Sequence, residues 1–161
     1  MKILSLLALG SSVIAAAVIV AAQLGLLAGT APTRLGVTGG RLQPPSMNPN
    51  SVSSQAALYP EHPQLAYATI APLRFKGDGE AAMARLTNLL AQSAGTEIVV
   101  KQPDYVYAQC RTPILKFTDD VEFWLDKPAG VIQVRSASRL GRKDFGVNRA
   151  RIEAIRSRFQ S

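Results

Sequence analysis

The feature that most constrains this chain is a long uncharged apolar run close to its start. Residues 3–29 read ILSLLALGSSVIAAAVIVAAQLGLLAG, with three serines and one glutamine as polar interruptions. At about 1.5 Å of rise per residue, a helix of this length exceeds the roughly 30 Å hydrocarbon core of a bilayer. A cleaved signal peptide has a shorter apolar stretch of about 7–15 residues. The run therefore predicts that residues 1–30 are a transmembrane anchor or uncleaved signal; a cleaved signal and a buried core helix are the alternatives.

The charges that flank the run nearly balance. Lys2 precedes it and Arg34 and Arg41 follow it, so the rule that basic residues stay on the cytoplasmic side does not decide the orientation. A long apolar run after a very short N-terminal tail is typical of a signal anchor. We therefore expect a single-pass protein of a bacterial inner membrane, attached through residues 3–29, with its soluble domain in the periplasm.

The rest of the chain is basic, and its charge is concentrated late. The formal net charge of the 161 residues is +7, and eight Arg or Lys side chains fall between residues 135 and 158 against Asp144 and Glu153. Such a surface favours anionic partners. Outside the cytoplasm these are an anionic envelope component, such as a phospholipid headgroup, lipopolysaccharide or acidic polymer, or a membrane protein partner. Nucleic acid is not expected. The one cysteine, Cys110, excludes an intramolecular disulfide.

Composition divides the chain beyond the apolar run into two parts. Residues 31–64 are rich in Pro, Gly, Ser and Asn, which is the composition of a linker. Residues 65–161 predict one α+β domain, a small antiparallel sheet with two helices packed on one face, in the order β-α-β-β-β-β-α. The predicted elements are a strand at 66–75, a helix capped by Asp78 and stopped by Gly95, strands at 97–102, 104–112 (continuing at 114–117), 121–126 and 131–137, and a last helix capped by Asn148.

The sharpest local prediction is a hairpin. Residues 121–126 alternate apolar and other side chains, and the KPAG turn that follows has Pro at its second position and Gly at its fourth, as a type I turn prefers. If Asp126 faces Val131 across this turn, Glu122 faces Arg135. An opposite-charge pair then lies directly across the strands, which supports the register.

Four segments carry a family resemblance: PNSVSSQ, PDYVYA, FTDDVEF and VIQVRSASRLGRKDFGVNR. At these segments the chain resembles the domain of unknown function 1499 family, over residues 42–159. The resemblance implies an envelope-associated protein of bacteria or plastids, often with membrane helices or a lipoprotein signal. It implies no reaction, cofactor or catalytic residue. Pro45 and Ser51 stand where members of the family often have two cysteines, so a disulfide or thiol role of that pair cannot operate here.

The most informative stretch for function is the connection between the last strand and the last helix. Arg135, Ser138, Arg139 and Arg149 combine guanidinium and hydroxyl donors in glycine-containing sequence. Such donors near a helix N-terminus are suited to hold a phosphate or carboxylate. The alternative is that the glycines shape the loop, Asn148 caps the helix and carboxylates neutralise the arginines. The two interpretations are even, and an anion site of these four residues is our hypothesis.

Acidic residues form a second polar cluster. Asp119, Asp120 and Glu122 are candidates for a divalent-cation site or, with Arg135, for the acid–base groups of a hydrolase or transferase. We favour a simpler interpretation, a solvated strand start plus the pair to Arg135, because Ca²⁺ sites usually need six or more oxygen ligands. The polar residues expected to support the anion site are Asp119, Asp120, Glu122, Asp144 and Asn148.

The remaining candidates favour structural roles. Cys110 and His62 are single residues of their types, and a buried unreactive cysteine is more common than a catalytic dyad. Tyr105, Tyr107 and Trp124 lie on alternating strands, where packing is more common than an aromatic binding patch. We expect no catalytic residue, metal site or cofactor.

Three functions of different classes follow. The first is a membrane-anchored binding or assembly module that uses a basic, anion-binding end. The second is an unrecognised hydrolase or transferase using Asp119, Asp120 or Glu122 with Arg135. The third is a structural accessory subunit of a membrane complex. The first is preferred, because the sequence carries none of the usual nucleophile–base or metal signatures, and an enzyme is therefore not our expectation.

Overall fold

The fold is α+β, with one antiparallel sheet and the main helices on one of its faces. The computed structural model describes residues 2–160, and for residues 2–9 it describes the backbone alone. The helices are α1 (Lys2–Gln23), α2 (Leu65–Ala68), α3 (Gly79–Ala91) and α4 (Val147–Gln160). The strands are β1 (Ser51–Ser53), β2 (Leu73–Arg74), β3 (Thr96–Lys101), β4 (Tyr105–Arg111), β5 (Thr118–Asp126) and β6 (Val131–Ser138).

The sheet is a meander closed at one edge by two short strands. Its order is β1-β6-β5-β4-β3, and β2 also pairs with β6, next to residues 131–132, whereas β1 pairs next to residues 135–137. The predicted hairpin register is confirmed, since Asp126 faces Val131 and Glu122 faces Arg135. The antiparallel sheet of the sequence analysis is therefore confirmed, and it has one more strand, the short β1, than the five predicted.

The core lies between the sheet and the helices α3 and α4. Alternate side chains of the central strands, such as Val121 and Phe123, meet Leu86 and Leu90 of α3 and Ile152 of α4, and all five are buried. The predicted cap of α3 is confirmed, because Asp78 Oδ1 accepts the Ala81 amide at 2.7 Å. The helix ends at Ala91, four residues before the predicted stop.

Two local predictions are corrected. Residues 66–75 do not form one strand: the helix α2 occupies Leu65–Ala68, Thr69 forms a single bridge to Ser53, and only Leu73–Arg74 form a strand, directly after Pro72, which cannot donate to a ladder. Residues 114–117 form a turn instead of continuing a strand.

The segment predicted as a linker, residues 31–64, is built into the fold. It contributes β1 and a 3-10 turn at Ala56–Leu58, and it buries Leu42 against Tyr105 and Tyr107 on the second face of the sheet. The Ser and Gln residues that give this segment the composition of a linker form internal hydrogen bonds with their side chains. The side chain of Gln55, for example, accepts the Leu42 amide at 2.8 Å.

The apolar run forms α1 over most of its length. None of the helices in the described residues is long and apolar enough to cross a membrane. The structure therefore does not support the predicted transmembrane span, whose side chains at 3–9 lie outside the described ones. The helix is followed by turns to residue 28, and the side chain of Gln23 donates to the Ile114 carbonyl at 3.1 Å.

Candidate functional site

One end of the sheet combines long loops, exposed apolar side chains and basic side chains. Arg111 at the end of β4 faces Thr118 at the start of β5, and Asp119 faces Ser138 at the end of β6. The two loops that leave these strands, residues 112–117 and 139–147 (the latter taken to include Val147, the first residue of α4), are therefore neighbours. We call these two loops the loop end.

Large apolar side chains are exposed at the loop end. Of the nine that are exposed beyond residue 30 in the described chain, five lie on the two loops. Phe145 is 92% exposed and Ile114 is 63% exposed. The other three are Phe117, Leu140 and Val147. A concentration of this kind on a small domain is typical of an interaction surface, whereas single exposed apolar residues are not.

Basic side chains accompany these apolar ones. Lys116 lies in the first loop, and Arg142 and Lys143 lie in the second. None of the three forms a salt bridge with a carboxylate among the described residues. Their positive charge is therefore directed to solvent or to an external anion.

Both loops hold a residue in the left-handed region of the backbone. Lys116 has φ of 54° and Phe145 has φ of 52°. This region is unfavourable for residues with a side chain, and most of all for bulky ones. The Phe145 side chain is nevertheless almost fully exposed, so this backbone conformation does not serve to place the ring in the core. Sequence analysis missed both residues, because no local pattern signals a positive φ at Lys or Phe.

An apolar groove runs between α1 and the first loop. It has a volume of about 630 Å³ and its lining is apolar except at one position. Ala15, Val18 and Ile19 form one side. Pro113, Ile114, Leu115 and Phe117 form the other, with Thr112 at its edge. The chain just after α1 also approaches the second loop, since a Cβ atom on Gly29 would lie 2.7 Å from Arg139 Cβ.

A second cavity, which we call the arginine pocket, adjoins the groove. Its volume is about 440 Å³, and Thr112 and Pro113 line both cavities. Three guanidinium groups line it: Arg111 from β4, and Arg151 and Arg158 from α4. Gln92, Ser93, Thr96 and Cys110 are further residues of its lining that have polar groups. Sequence analysis did not select these three arginines, because they are dispersed over 47 residues and only the fold brings them to one cavity.

The four residues of the predicted anion site lie in three different environments. Arg135 donates to Glu122 Oε2 at 3.2 Å, and Arg139 donates to both carboxylate oxygens of Asp120, at 2.7 and 2.9 Å. Ser138 accepts a hydrogen bond from Asn148 on the opposite face of the sheet. Arg149 donates to the Tyr67 and Thr69 carbonyls, at 2.6 and 2.9 Å. The structure does not bring these four side chains to one place, and the anion site at these positions stays a prediction.

The acidic cluster is likewise divided between the two faces of the sheet. On the helix-covered face, Asp119 accepts from Arg151 at 2.5 Å. On the other face, Asp120 pairs with Arg139, and Glu122 accepts from Tyr105 Oη at 2.8 Å and from the Gly36 amide at 2.7 Å as well as from Arg135.

All three carboxylates of this cluster are buried, being 6%, 3% and 0% exposed in chain order, so the expected solvated strand start is wrong. The predicted pair to Arg135 is confirmed. None of the three lines the groove or the arginine pocket, and no group of residues able to hold a metal ion is found within the described part of the chain.

Asp144 and Asn148 organise the start of α4. Asn148 is buried and accepts from Ser136, while its amide nitrogen donates to Asn50, Ser138 and Asp144. Asp144, not Asn148 as predicted, satisfies the free amides of the helix start, because it accepts from the Asn148 and Gly146 amides at 2.9 and 3.1 Å. Burial by itself raises the pKa of Asp144, but hydrogen bonds from Tyr67 and Asn148 outweigh it, so that the pKa is lowered.

The remaining candidates are engaged in the fold. Cys110 is buried and contacts Thr96 Oγ1 at 3.6 Å, and burial raises the pKa of its thiol. His62 Nδ1 accepts a hydrogen bond from the Gln64 amide at 3.1 Å.

The two tyrosines of the predicted aromatic group are also engaged in the fold. Tyr105 and Tyr107 are buried and donate hydrogen bonds to Glu122 and Asp120, and burial raises the pKa of both phenols.

Comparison with known proteins places this chain in a family. A family model described as a protein of unknown function (DUF1499) matches residues 41–159. The chain belongs to this family. The DUF1499 match includes both loops of the loop end and the three arginines of the pocket, while α1 lies outside it. Searches of curated proteins and of solved structures found no match.

Proposed function

We propose that this DUF1499 protein is a membrane-attached binding module whose loop end docks on an anionic membrane surface. The proposal rests on one observation: an apolar helix, two apolar loops and unpaired basic side chains lie together at one end of the domain. Either loop alone, or the helix alone, has several structural explanations. Docking on a membrane explains why all three lie together, because a lipid surface presents apolar chains below a layer of anionic phosphates.

The two kinds of side chain contribute in different ways. Apolar groups such as Phe145 and Ile114 gain about 25 cal/mol for each Å² that leaves water. Each Lys or Arg near an anionic surface adds about 1 kcal/mol. Surface attachment of proteins combines these two terms, and Lys116, Arg142 and Lys143 supply the second one without first breaking an ion pair.

The apolar helix α1 lies where it would face the same membrane as the loop end. The Gln23 side chain donates to Ile114 in the first loop, so the end of α1 is held at the loop end. The attachment predicted for residues 3–29 and the docking surface would then act on one membrane face. A periplasmic location of the domain at a bacterial inner membrane is part of this proposal.

The other predicted functions have less support. The hydrolase or transferase needs an accessible acid–base group, and Asp119, Asp120 and Glu122 are buried and paired with arginines. No specific contact favours a role as an accessory subunit over docking on lipid.

Hydrogen–deuterium exchange of the full-length protein on vesicles tests the proposal locally. The vesicles contain either phosphatidylcholine alone or phosphatidylcholine with phosphatidylglycerol. We expect slower exchange in residues 112–117 and 139–147 on the anionic vesicles, and no difference in the hairpin turn at 127–130, which serves as the internal reference. Equal exchange in the loops on both kinds of vesicle would overturn docking on an anionic surface.

A pair of reporter fusions after Ser161 tests the location. A reporter active only outside the cytoplasm should be active, and one active only in the cytoplasm should be silent. The opposite result would place the loop end at the cytoplasmic leaflet and contradict the periplasmic part of the proposal.

A further inference from the structure

We propose that a cavity on the second face of the sheet binds a small quaternary ammonium compound, a cation of the choline type. Tyr105, Tyr107 and Trp124 line this cavity together with Asp104, and we call it the aromatic pocket. The inference goes beyond the proposed function and does not depend on it, because the pocket adjoins the turn at 102–104, at the opposite end of the strands from the loop end.

The strand register brings the three aromatic side chains together. Tyr105 and Tyr107 are alternate residues of β4, so their side chains lie on the same face of the sheet. Trp124 of β5 pairs directly with Tyr105, and side chains of directly opposed residues are close neighbours. The three residues that sequence analysis assigned to packing therefore also line a cavity. Its volume of about 460 Å³ lies within the range of roughly 300–1,000 Å³ that is usual for ligand sites.

The tyrosines offer a ligand their rings, because their hydroxyl groups are already engaged. Tyr105 Oη donates to Glu122 at 2.8 Å, and Tyr107 Oη donates to Asp120 at 2.6 Å. Both carboxylates are also paired with arginines. These bonds hold the rings in place before a ligand arrives, which lowers the entropic cost of binding. Trp124 is half-buried and contributes the third ring to the lining.

The charge of the lining favours a cation. The face of an aromatic ring is electron-rich and attracts cations, and tryptophan does so most strongly. Asp104 adds a full negative charge and forms no salt bridge among the described residues. Lys127 acts on Asp104 electrostatically beyond salt-bridge distance, but its direct partner is Glu80. No Lys or Arg of the described chain lines the pocket.

A quaternary ammonium group fits this lining better than a primary ammonium group. A primary ammonium has three N–H donors that each need an acceptor, and the side chains of Gln102 and Asp104 are the only ones in the lining whose acceptors are not already used by the fold among the described residues. A trimethylammonium group has no N–H donor. Its methyl groups can contact the rings and the apolar side chains of Leu35, Val37 and Val100, as in the aromatic cages that recognise such groups.

Fluorescence of the full-length protein in a nonionic detergent tests the site directly, because Trp124 is the one tryptophan of the chain. Choline chloride is the probe, and sodium chloride at the same ionic strength is the reference. The neutral comparison is the carbon isostere of choline, in which a tert-butyl group replaces the trimethylammonium group. We expect a saturable change of Trp124 emission with choline and a dissociation constant about tenfold higher for the isostere.

Substitutions in the lining separate the two contributions. Asp104→Asn keeps the size of an exposed side chain and should raise the dissociation constant for choline about fivefold. The matched control is Glu61→Gln, which removes the same charge from an exposed position outside the lining and should have no effect. Calorimetry replaces fluorescence for the third ring: Trp124→Leu should weaken binding about tenfold, and Trp124→Phe, which keeps an aromatic face, should weaken it less.

Four results would overturn the proposal. Equal binding of choline and its isostere would show that the pocket recognises shape and not charge. Equal losses in Asp104→Asn and Glu61→Gln would mean that net charge alone attracts choline. An emission change with glucose and none with choline would assign the rings to a sugar. No saturable change with choline up to tens of millimolar would remove the site, whereas docking of the loop end on vesicles would be unaffected.

Discussion

The two ends of the sheet treat charge and apolar surface in opposite ways. At the hairpin end, residues 102–104 and 127–130 form short polar turns, and Lys127 pairs with Glu80 at 2.8 Å. Acidic residues are frequent there, namely Asp78, Glu80, Asp104 and Asp126. At the loop end the connections are longer and apolar side chains face outward. Lys116, Arg142 and Lys143 on these loops form no salt bridge among the described residues, whereas Arg139 pairs with Asp120.

This difference between the two ends shows that the exposed apolar surface at the loop end is not a consequence of poor packing. The strands that enter this end carry buried, paired carboxylates at Asp119, Asp120 and Glu122, each held by a different arginine. The domain thus satisfies its internal charges close to the loops, while Lys116, Arg142 and Lys143 on the loops themselves form no salt bridge among the described residues. The two loops of the loop end carry more basic than acidic side chains, whereas Arg74, Lys76, Lys101 and Lys127 balance the acidic residues of the hairpin end.

The largest expected effect is a loss of stability when the buried ion pair of Asp120 and Arg139, near the loop end, is broken. Asp120→Asn leaves Arg139 charged and buried, and loss of one partner of such a pair costs about 3–5 kcal/mol. We expect the free energy of unfolding of the full-length protein in nonionic detergent, measured with urea, to fall by about 3 kcal/mol. The matched change at the hairpin end, Glu80→Gln, removes an exposed pair and should leave the urea midpoint unchanged. Similar losses in both variants would contradict the contrast between the ends.

A smaller effect is expected when charge is removed from the loop end. R142Q/K143Q should weaken partition onto phosphatidylglycerol vesicles by about 2 kcal/mol, roughly 30-fold, because each basic residue contributes about 1 kcal/mol. Flotation of the full-length protein gives the partition, and R74Q/K76Q is the control at the hairpin end. Partition onto phosphatidylcholine vesicles should not change. An equal effect of both double variants would mean that only net charge matters and not its position.

Phe145→Gly separates binding from folding. Glycine accepts the positive φ of this position without strain, and the Phe145 side chain is almost fully exposed, so the melting temperature should not fall. Partition onto anionic vesicles should weaken about tenfold, the effect of losing about 1.5 kcal/mol of apolar contact. Val99→Ala, on the edge strand β3, is the control for an exposed apolar residue outside the loops. A lower melting temperature of Phe145→Gly would instead assign the ring a packing role.

The smallest effect is a pH dependence confined to the start of α4. The pKa of Asp144 is lowered from 3.8 in the folded protein, so its contribution to stability is present above that pH and is lost as the pH falls through the folded pKa. Tyr67→Phe removes one of the hydrogen bonds that lower this pKa. We expect the variant to lose less stability than the wild type between about pH 5 and about pH 3, measured by urea unfolding. An unchanged acid dependence would show that Tyr67 does not hold the carboxylate.

Local patterns predicted the hairpin best. The KPAG turn and the alternation along β5 specify one register, and a slip of one residue would move Phe123 out of the core. The cap at Asp78 was predictable for the same reason, since a cap depends on residues within one turn. The segment at 31–64 was misjudged because its Ser and Gln side chains serve internal hydrogen bonds to distant partners, such as Ser54 to Gln133.

The sequence by itself determined the α+β class, the hairpin register, the family and the basic character of the late chain, because these depend on local pattern and on composition. Only the tertiary structure decided which arginines face a cavity. Arg135 and Arg139 lie next to each other in a conspicuous sequence, yet the register of β5 and β6 places each against a carboxylate. Arg111 and Arg158 are far apart in the chain, and they line one pocket because β4 and α4 converge beside the loop end. Which arginines lie against a buried carboxylate of the sheet and which line a cavity is a property of contacts between distant segments.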